Sequence, residues 1–484
     1  MIGGCLPPAH SSKTLFPTAY LSTVLLIAES YIGWMIGGGK FSECEDYPDI
    51  LLTERKQSDG VRRQHASLAH NYTSGAFLIS ALGEPVILDG TESFRDGQRL
   101  IHKRRTSIEI GNLRYILELE PISDQDYRTL LTSYQNEHAL GTTDYPSNLT
   151  ATPSEWDHVF EEYVTKNPIG SGVTGLVSAA LSRKSGDAVA IKTFRRYTDR
   201  DDAHLEADWK MAETIGWHPN ICQLISIRSP APEDPERGYQ TCGVDEAYLV
   251  YTPLASWTVE KLLEVDQYVP STQCIGLLRE FLDGIEYLHS QKIMHHDIKP
   301  SNLAVISLTP PKAMLIDFGH ATFGLSASDT LVGTAGWRAP ELADLIHNPK
   351  SRGEYDETVD LFGLGVSLFR LFCQVRRRWW EDRIREQDVL RMGTALLKLD
   401  MAAGVAELLI SLMDWDPTQR PRSSRAKEEL RVLSEMHERS GGSVVGEYVW
   451  GEDGSGGGKG AVGGEESWSK VGKGDKKGRQ SAWQ

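Results

Sequence analysis

Two short stretches in the second half of the chain carry acidic and amide side chains beside apolar runs. The first reads His295-His296-Asp297-Ile298-Lys299-Pro300-Ser301-Asn302, and the second, Asp317-Phe318-Gly319, follows the apolar residues Met314-Leu315-Ile316. Carboxylate and carbonyl oxygens of this kind are the ligands that Mg²⁺ prefers. An ionised aspartate at such a site could also accept a proton from a reacting group.

A glycine-rich stretch and a lysine precede these residues in the chain. The stretch reads Ile169-Gly170-Ser171-Gly172-Val173-Thr174-Gly175-Leu176-Val177, and glycines let a backbone approach phosphates without side-chain clashes. Lys192 ends the apolar run Val189-Ala190-Ile191. A buried lysine needs an anionic partner, whereas a surface lysine at a strand end is the simpler interpretation of this residue alone.

Further motifs follow along the chain. They are His218-Pro219-Asn220-Ile221, the segment from Gly333-Thr334 to Ala339-Pro340-Glu341, the segment from Asp360 to Gly365, and Arg420. In order and spacing, the whole set resembles the signature of eukaryotic-type protein kinases over roughly 270 residues. The resemblance implies an α+β bilobal fold, with a β-rich small lobe ending near Thr252 and a helical large lobe ending near Glu435.

The resemblance also implies a role for each polar residue in moving the γ-phosphoryl group of ATP to a protein hydroxyl. Lys192 would hold the α- and β-phosphates, and Asp297 would orient the substrate hydroxyl and accept its proton. Lys299 would neutralise the transferring phosphate. Asn302 and Asp317 would bind Mg²⁺. Lys299 and Thr334 indicate the serine/threonine class.

The same resemblance predicts an ATP site between the lobes. Val177 and Ala190 would cover the adenine, the backbone of Thr252 and Leu254 would face it, and Ala304 would form the floor. The predicted ATP-binding residues are Ile169, Gly170, Ser171, Gly172, Val173, Thr174, Gly175, Val177, Ala190, Lys192, Thr252, Leu254 and Ala304.

Several residues are predicted to hold the scaffold. Glu341 and Arg420 would form a buried ion pair, and Asp360 would bind the backbone of the catalytic loop. The partner of Lys192 is open between Glu206 and Asp208, and we favour Glu206 because aspartate has the shorter reach.

The sequence departs from the kinase pattern at His296, where the family usually has an arginine that pairs with a phosphate on the activation loop. One charge-assisted contact is therefore missing. We expect activity to depend little on phosphorylation of Ser326, Ser328 or Thr330, which otherwise are candidate phosphosites or simply a polar loop.

The N-terminal region resembles a forkhead-associated (FHA) domain, a β-sandwich that reads phosphothreonine. The resemblance rests on Gly39-Lys40, Asp49-Ile50-Leu51, the segment Gly60–Ala66, Leu88-Asp89-Gly90 and the segment Ile108–Tyr115. The last segment lies in a predicted hairpin, Ser107–Leu119, with its turn at Gly111-Asn112. Lys40 and Arg62 replace the arginine and serine of that family. Phosphopeptide binding and docking of a protein partner therefore both stay open.

Composition and residue patterns predict the domain bounds, the class of partner and the compartment. We predict four regions in the chain of 484 residues: an FHA-like domain over 20–121, a linker over 122–162 with a short helix, a kinase domain over 163–436 and a disordered Gly-, Ser- and Lys-rich tail over 437–484. The net charge of −16 argues against a nucleic-acid partner. Six scattered cysteines favour a reducing compartment, and no apolar run is long enough for a membrane helix. We expect a soluble intracellular protein of the cytoplasm or nucleus.

Two other functions compete with an active kinase. A pseudokinase or scaffold would recruit partners through the FHA-like region, but such proteins commonly lose one of Lys192, Asp297, Asn302 and Asp317, which are all present here. A small-molecule phosphotransferase shares the aspartate and asparagine chemistry. It does not account for the segments around His218, Glu341 and Arg420.

Overall fold

The computed structural model describes most of the chain. The described residues are 34–38, 50–53, 59–119, 122–137, 146, 148–150, 152–154, 157–172, 175–196, 199–228, 245–328, 332–347, 353–401, 404–439, 448–450 and 456–458. The predicted motif residues Gly39, Lys40, Val173, Thr174 and Thr330 lie outside these ranges, as does almost all of the predicted tail.

The N-terminal region is all-β, as the sequence predicts. Its strands are β1 (Trp34–Gly38), β2 (Ile50–Thr53), β3 (Ala66–His70), β4 (Phe77–Leu88), β5 (Glu92–Leu100), β6 (Arg105–Ile110) and β7 (Leu113–Glu118). They form one sheet in the order β2-β1-β3-β4-β6-β7, with β5 paired to β4. We call this unit the N-terminal β-domain.

Alternating burial explains the hairpin at the end of this domain. Thr106, Ile108 and Ile110 of β6 are buried while their neighbours are more exposed, and Ile110 pairs with Leu113 across the turn. The predicted hairpin is therefore confirmed, because side chains of a strand point alternately to its two faces.

The segment predicted as a linker contains regular structure. Helix α1 (Asp124–Glu137) is longer than the predicted short helix, and its Tyr127 hydroxyl donates a hydrogen bond to the Gly75 carbonyl of the N-terminal β-domain. Strand β8 (His158–Phe160) already belongs to the next sheet. The small-lobe sheet thus begins at His158, before the predicted domain start at Tyr163.

The small lobe is a six-stranded antiparallel sheet with one helix. Its remaining strands are β9 (Tyr163–Gly172), β10 (Gly175–Ser182), β11 (Ala188–Arg196), β12 (Gln223–Arg228) and β13 (Asp245–Thr252), in the order β12-β13-β11-β10-β9-β8. Helix α2 (Asp199–Thr214) lies between β11 and β12 in the chain. The lobe ends at Thr252, as predicted.

The large lobe is helical and carries the largest apolar core. Its helices are α3 (Val259–Glu264), α4 (Ser271–Ser290), α5 (Pro340–His347), α6 (Thr358–Phe372), α7 (Glu386–Leu396), α8 (Val405–Leu412) and α9 (Ser423–Arg439). Helix α6 is buried along its whole length and contributes Phe362 and Phe369 to the core. None of the helices in the described part of the chain is long and apolar enough to cross a membrane.

Short strands flank the segments of the large lobe that carry the predicted catalytic residues. They are β14 (Trp257–Thr258), β15 (Ile293–Met294), β16 (Leu303–Leu308), β17 (Pro311–Leu315), β18 (Thr322–Phe323), β19 (Ser326–Ala327) and β20 (Tyr355–Asp356), and the tail adds β21 (Tyr448–Trp450) and β22 (Gly456–Gly458). Leu303 of β16 pairs with Leu315 of β17. This register brings Asn302, just before β16, beside the residues that follow β17.

The N-terminal β-domain is hydrogen-bonded to the turn between β10 and β11. The Asn71 side-chain amide donates to the Ser185 carbonyl and the Asp187 carboxylate, at 2.9 Å each. The Ser74 hydroxyl donates to the Gly186 carbonyl at 2.6 Å, and the Leu100 amide donates to the Arg183 carbonyl at 2.8 Å. The turn therefore satisfies polar groups of both units.

An apolar cluster continues beneath these hydrogen bonds. It joins residues of the N-terminal β-domain to residues of the small lobe: Ala76, Leu78, Leu100, Leu149, Val164, Ala179, Leu181, Ala188 and Leu254, with Ile169 and Ala190 packed against them. Because Ile169, Ala190 and Leu254 are predicted to contact ATP, the domain contact and the predicted ATP site share one core.

Gly186→Ala should lower the free energy of unfolding more than Gly97→Ala. Both glycines have positive φ, +72° and +80°. An alanine at either position therefore adds left-handed strain of about 1–2 kcal/mol. At residue 186 the new methyl would also lie 2.9 Å from Leu78 Cδ2 of the N-terminal β-domain. At residue 97 a Cβ would have no neighbouring atom within 4 Å. Urea unfolding measures both losses; equal losses would contradict close packing between the two units.

Candidate active site

Lys192 connects β11 to α2 and to Asp317. It lies on β11 between Val177 of β10 and Leu249 of β13, and the residue is only 9% exposed. Its Nζ lies 2.6 Å from Asp208 Oδ2 and 2.9 Å from Asp317 Oδ1. Burial disfavours the ammonium, but the carboxylates of Asp317 and Asp208 outweigh it and raise the pKa of Lys192. The lysine therefore stays charged.

The prediction that Glu206 pairs with Lys192 is wrong. Asp208 is the partner, and Glu206 forms an ion pair with Lys210 on the exposed side of α2. Each residue of an α-helix turns by about 100°, so two positions reverse the direction of the side chain. Asp208 is buried on the same face as Leu205 and Met211. That spacing is the signal in the sequence that favours Asp208.

Close approach of α2 compensates for the short aspartate side chain. Asp208 Oδ1 lies 2.5 Å from the position that a Cβ on Gly319 would occupy. A side chain at 319 would therefore displace the Asp208 carboxylate. Burial raises the pKa of Asp208 even though the Lys192 ammonium faces it. The pair is thus a tightly packed contact between α2 and the segment Asp317-Phe318-Gly319.

The Asp297 carboxylate is held by three side chains. Lys299 Nζ lies 2.7 Å from its Oδ2, the Thr334 hydroxyl donates to its Oδ1 at 2.6 Å, and Asn302 Nδ2 donates to its Oδ2 at 3.1 Å. Lys299 also donates to the Thr334 hydroxyl at 2.7 Å. Burial opposes ionisation, yet Lys299 and Thr334 lower the pKa of Asp297 below its ordinary value. Asp297 is therefore ionised at neutral pH.

Asp360 holds the backbone of the catalytic loop, as predicted. Its carboxylate accepts hydrogen bonds from the amides of His295 and His296, at 2.8 Å each, and lies 3.0 Å from His289 Nε2. Burial raises the pKa of Asp360, but the hydrogen bond with His289 prevails and lowers it to about 2. The fixed charge stabilises the left-handed conformation of His296, whose φ is +64°.

The predicted ion pair between Glu341 and Arg420 is present and bidentate. Arg420 Nη1 and Nη2 lie 2.6 and 2.8 Å from the two carboxylate oxygens, and the arginine side chain is fully buried. Arg420 Nε also donates to the Asp414 carbonyl at 2.7 Å. This pair ties α5, which follows the Thr334 loop, to the segment before α9.

Two residues near Asp297 offer oxygen ligands that suit Mg²⁺. Asn302 uses its amide nitrogen on Asp297, which leaves the amide oxygen for a metal. Asp317 follows β17 with φ +63°, and its side chain is 41% exposed. Partial burial opposes its ionisation, but Lys192 lowers the pKa of Asp317. A carboxylate and an amide oxygen form a hard donor set, so these residues fit Mg²⁺.

The residues predicted to contact ATP lie on both sides of the cleft. Ile169, Ala190 and Leu254 share one apolar cluster of the small lobe, whereas Ala304 is buried in the core of the large lobe. Val177 and Thr252 are partly buried on β10 and β13. Gly170, Ser171 and Gly172 end β9, and Gly172 pairs with Gly175 at the start of β10. The ATP contacts of these residues stay predictions.

Replacing Asp208 by asparagine should weaken MgATP binding at least about tenfold. The substitution leaves a buried ammonium with one carboxylate fewer, and hydrogen bonds to charged groups contribute about 1.5–3 kcal/mol. Glu206→Gln is the matched control, because Glu206 is exposed and pairs with Lys210 one turn further along the same helix. Titration calorimetry with MgATP measures both variants. Equal affinities in the two would show that Asp208 does not hold Lys192 for phosphate binding.

Comparison with known proteins agrees with this geometry. A family profile described as "Protein kinase domain" matches residues 163–430. Mitogen-activated protein kinase 3 of Oryza sativa subsp. japonica is 30% identical over 226 residues, covering 45% of this chain and 56% of that protein. Serine/threonine-protein kinase TIO of Arabidopsis thaliana is 28% identical over 219 residues, covering 44% of this chain and 15% of that protein. The chain spans about half, or less, of the length of these curated relatives.

A solved structure of Rad53 1-466 in complex with AMP-PNP aligns with 88% of this chain and 96% of its own, with 18% identity and a TM-score of 0.49. The profile match covers more than half of the 484 residues and contains every residue of the charged network described above. The chain belongs to the protein kinase domain family.

Proposed function

We propose that this protein is a serine/threonine protein kinase that transfers the γ-phosphoryl group of ATP to protein hydroxyls. One observation carries the proposal: Lys192 Nζ contacts Asp208 and Asp317 at once, at 2.6 and 2.9 Å. This contact joins the small lobe, α2 and the metal-binding segment in a single arrangement. Phosphoryl transfer depends on such positioning and on neutralising the charge of the phosphates.

ATP would bind between the lobes. The apolar side chains of Ile169, Ala190 and Leu254 would enclose the adenine, and Lys192 would contact the phosphates. Asn302 and Asp317 would hold Mg²⁺, which would neutralise charge on the phosphate oxygens. Two of these groups, Lys192 and Asp317, are already charged and in contact, so little reorganisation would accompany binding.

The residues around Asp297 would act on the acceptor hydroxyl. Asp297, ionised and held by Lys299 and Thr334, would orient the hydroxyl and accept its proton. Lys299 would then contact the transferring phosphate, because its ammonium lies 2.7 Å from Asp297 Oδ2. The Lys299–Thr334 contact at 2.7 Å supports a serine or threonine acceptor, in line with the class of the kinase relatives.

We also propose that the N-terminal β-domain docks protein partners without reading phosphothreonine. Arg62, which replaces the serine of FHA domains, forms an ion pair with Glu84. That carboxylate would repel a phosphate group. The other predicted phosphate contact, Lys40, lies outside the described residues.

Asp297→Asn should reduce phosphotransfer at least about 100-fold, the usual contribution of a general base. Asparagine has nearly the same shape and can keep a hydrogen bond with Thr334, so folding and MgATP binding should persist. Transfer of labelled phosphate to a generic basic protein measures activity, and thermal unfolding measures folding. A folded wild-type protein that binds MgATP but labels no hydroxyl would refute the proposed activity.

Thr334→Ala should move the acidic limb of the kcat/KM–pH profile to higher pH. Thr334 stabilises the ionised form of Asp297 by donating a hydrogen bond at 2.6 Å, so its loss raises the pKa of Asp297. The base then becomes protonated, and activity falls, at a higher pH than in the wild type. Thr334→Ser keeps the hydroxyl and should retain the original limb. A profile unchanged by the alanine variant would show that Thr334 does not tune the base.

A further inference from the structure

The segment 374–385, between α6 and α7, lies against the loop that follows Thr334. The Gly336 amide donates a hydrogen bond to the Asp382 carbonyl at 2.6 Å. At the same residue, Trp380 Nε1 donates to the Gly336 carbonyl at 2.8 Å. Trp380 is itself buried against Trp337 in an edge-on ring contact. The loop and the segment therefore form one rigid surface.

Arg378 occupies the space beside Gly336 where a side chain would otherwise stand. Gly336 has φ +83°, and a Cβ at this residue would overlap Arg378 Nη1 and lie 2.9 Å from its Cζ. Because Gly336 has no side chain, the Arg378 guanidinium can lie directly against the backbone of the loop. Arg is a planar, permanently charged donor that matches carboxylate geometry.

The guanidinium of Arg378 makes only long contacts in the described structure. Its Nη1 lies 3.4 Å from the Ala335 carbonyl and 3.5 Å from the Glu381 carbonyl. Its Nη2 lies 3.5 Å from Asp382 Oδ1, and that carboxylate side chain is 85% exposed. Charge-assisted hydrogen bonds are normally about 2.7–2.9 Å long. A carboxylate from a ligand could therefore replace these contacts with shorter ones.

Arg378 lies within reach of a peptide bound at Asp297. The Thr334 hydroxyl donates to Asp297 Oδ1, and Gly336 follows Thr334 by two residues. An extended chain advances about 3.3–3.6 Å per residue. Gly336 therefore lies at most about 7 Å along the backbone from Thr334, a separation that one or two residues of a substrate bound at Asp297 would span.

We propose that Arg378 makes this kinase select protein substrates with an aspartate or glutamate one or two positions from the phosphorylated residue. The inference rests on the proposed function and adds the substrate class. The neighbouring cation of the loop, Arg338, is already bound by its Nε to the Val332 carbonyl at 2.9 Å and by its Nη2 to the Gly333 carbonyl at 2.5 Å. Arg378, by contrast, has only the contacts of 3.4–3.5 Å given above among the described residues.

Peptide pairs that differ only by aspartate and asparagine test the inference. The peptides contain a single serine, and each pair differs at one of four positions: one or two residues before the serine, or one or two residues after it. The full-length protein is used to measure kcat/KM for each peptide. At one position or more, the wild type should prefer aspartate about three- to tenfold, as expected for a partly exposed charge-assisted contact. Arg378→Ala should abolish the preference and leave transfer to the asparagine peptide within about twofold.

Arg376→Ala is the matched control. It removes the same charge from the same segment, but Arg376 pairs with Asp266 and should leave the aspartate preference intact. Equal rates for aspartate and asparagine peptides in the wild type would overturn the inference, and this comparison needs no variant to fold. A preference that survives Arg378→Ala would overturn it as well. Absence of transfer to every peptide would instead overturn the proposed function on which the inference rests.

Discussion

The buried ammonium of Lys192 is the constraint on which the arrangement of the cleft depends. A charge at this depth is costly unless it is paired, and its two carboxylate partners come from α2 and from the segment after β17. The lysine can therefore be paired fully only when β11, α2 and the segment Asp317-Phe318-Gly319 come together. One desolvated charge thus couples two neighbouring elements of the small lobe, β11 and α2, to a segment of the large lobe 125 residues further along the chain.

The large lobe uses fixed charges in a similar way. Asp360 is buried within the apolar helix α6 and binds two consecutive amides of the catalytic loop, while Arg420 binds Glu341 through both carboxylate oxygens. Removing one member of such a buried pair is far more costly than removing both, because an uncompensated charge remains. These interactions fix the backbone around Asp297, whose own ionisation is set by Lys299 and Thr334.

The N-terminal β-domain also packs against the small lobe. Its contact with the turn between β10 and β11 combines hydrogen bonds from Asn71 and Ser74 with an apolar cluster that includes Leu78 and extends to Ala190. Interiors are closely packed and transmit displacement. A displacement of this domain would therefore be transmitted to the residues around Ala190.

The sequence by itself determined the two lobes and the contacts of Asp360 and of Glu341 with Arg420, because the strands, helices and short motifs that carry them are encoded locally. Tertiary structure decided the rest. Asp208 rather than Glu206 pairs with Lys192 because the face of α2 that turns inward depends on what the helix packs against. Two further contacts join residues that are distant in the chain: the N-terminal β-domain with the turn between β10 and β11, and Arg378 with Gly336. A local sequence pattern does not predict such pairs.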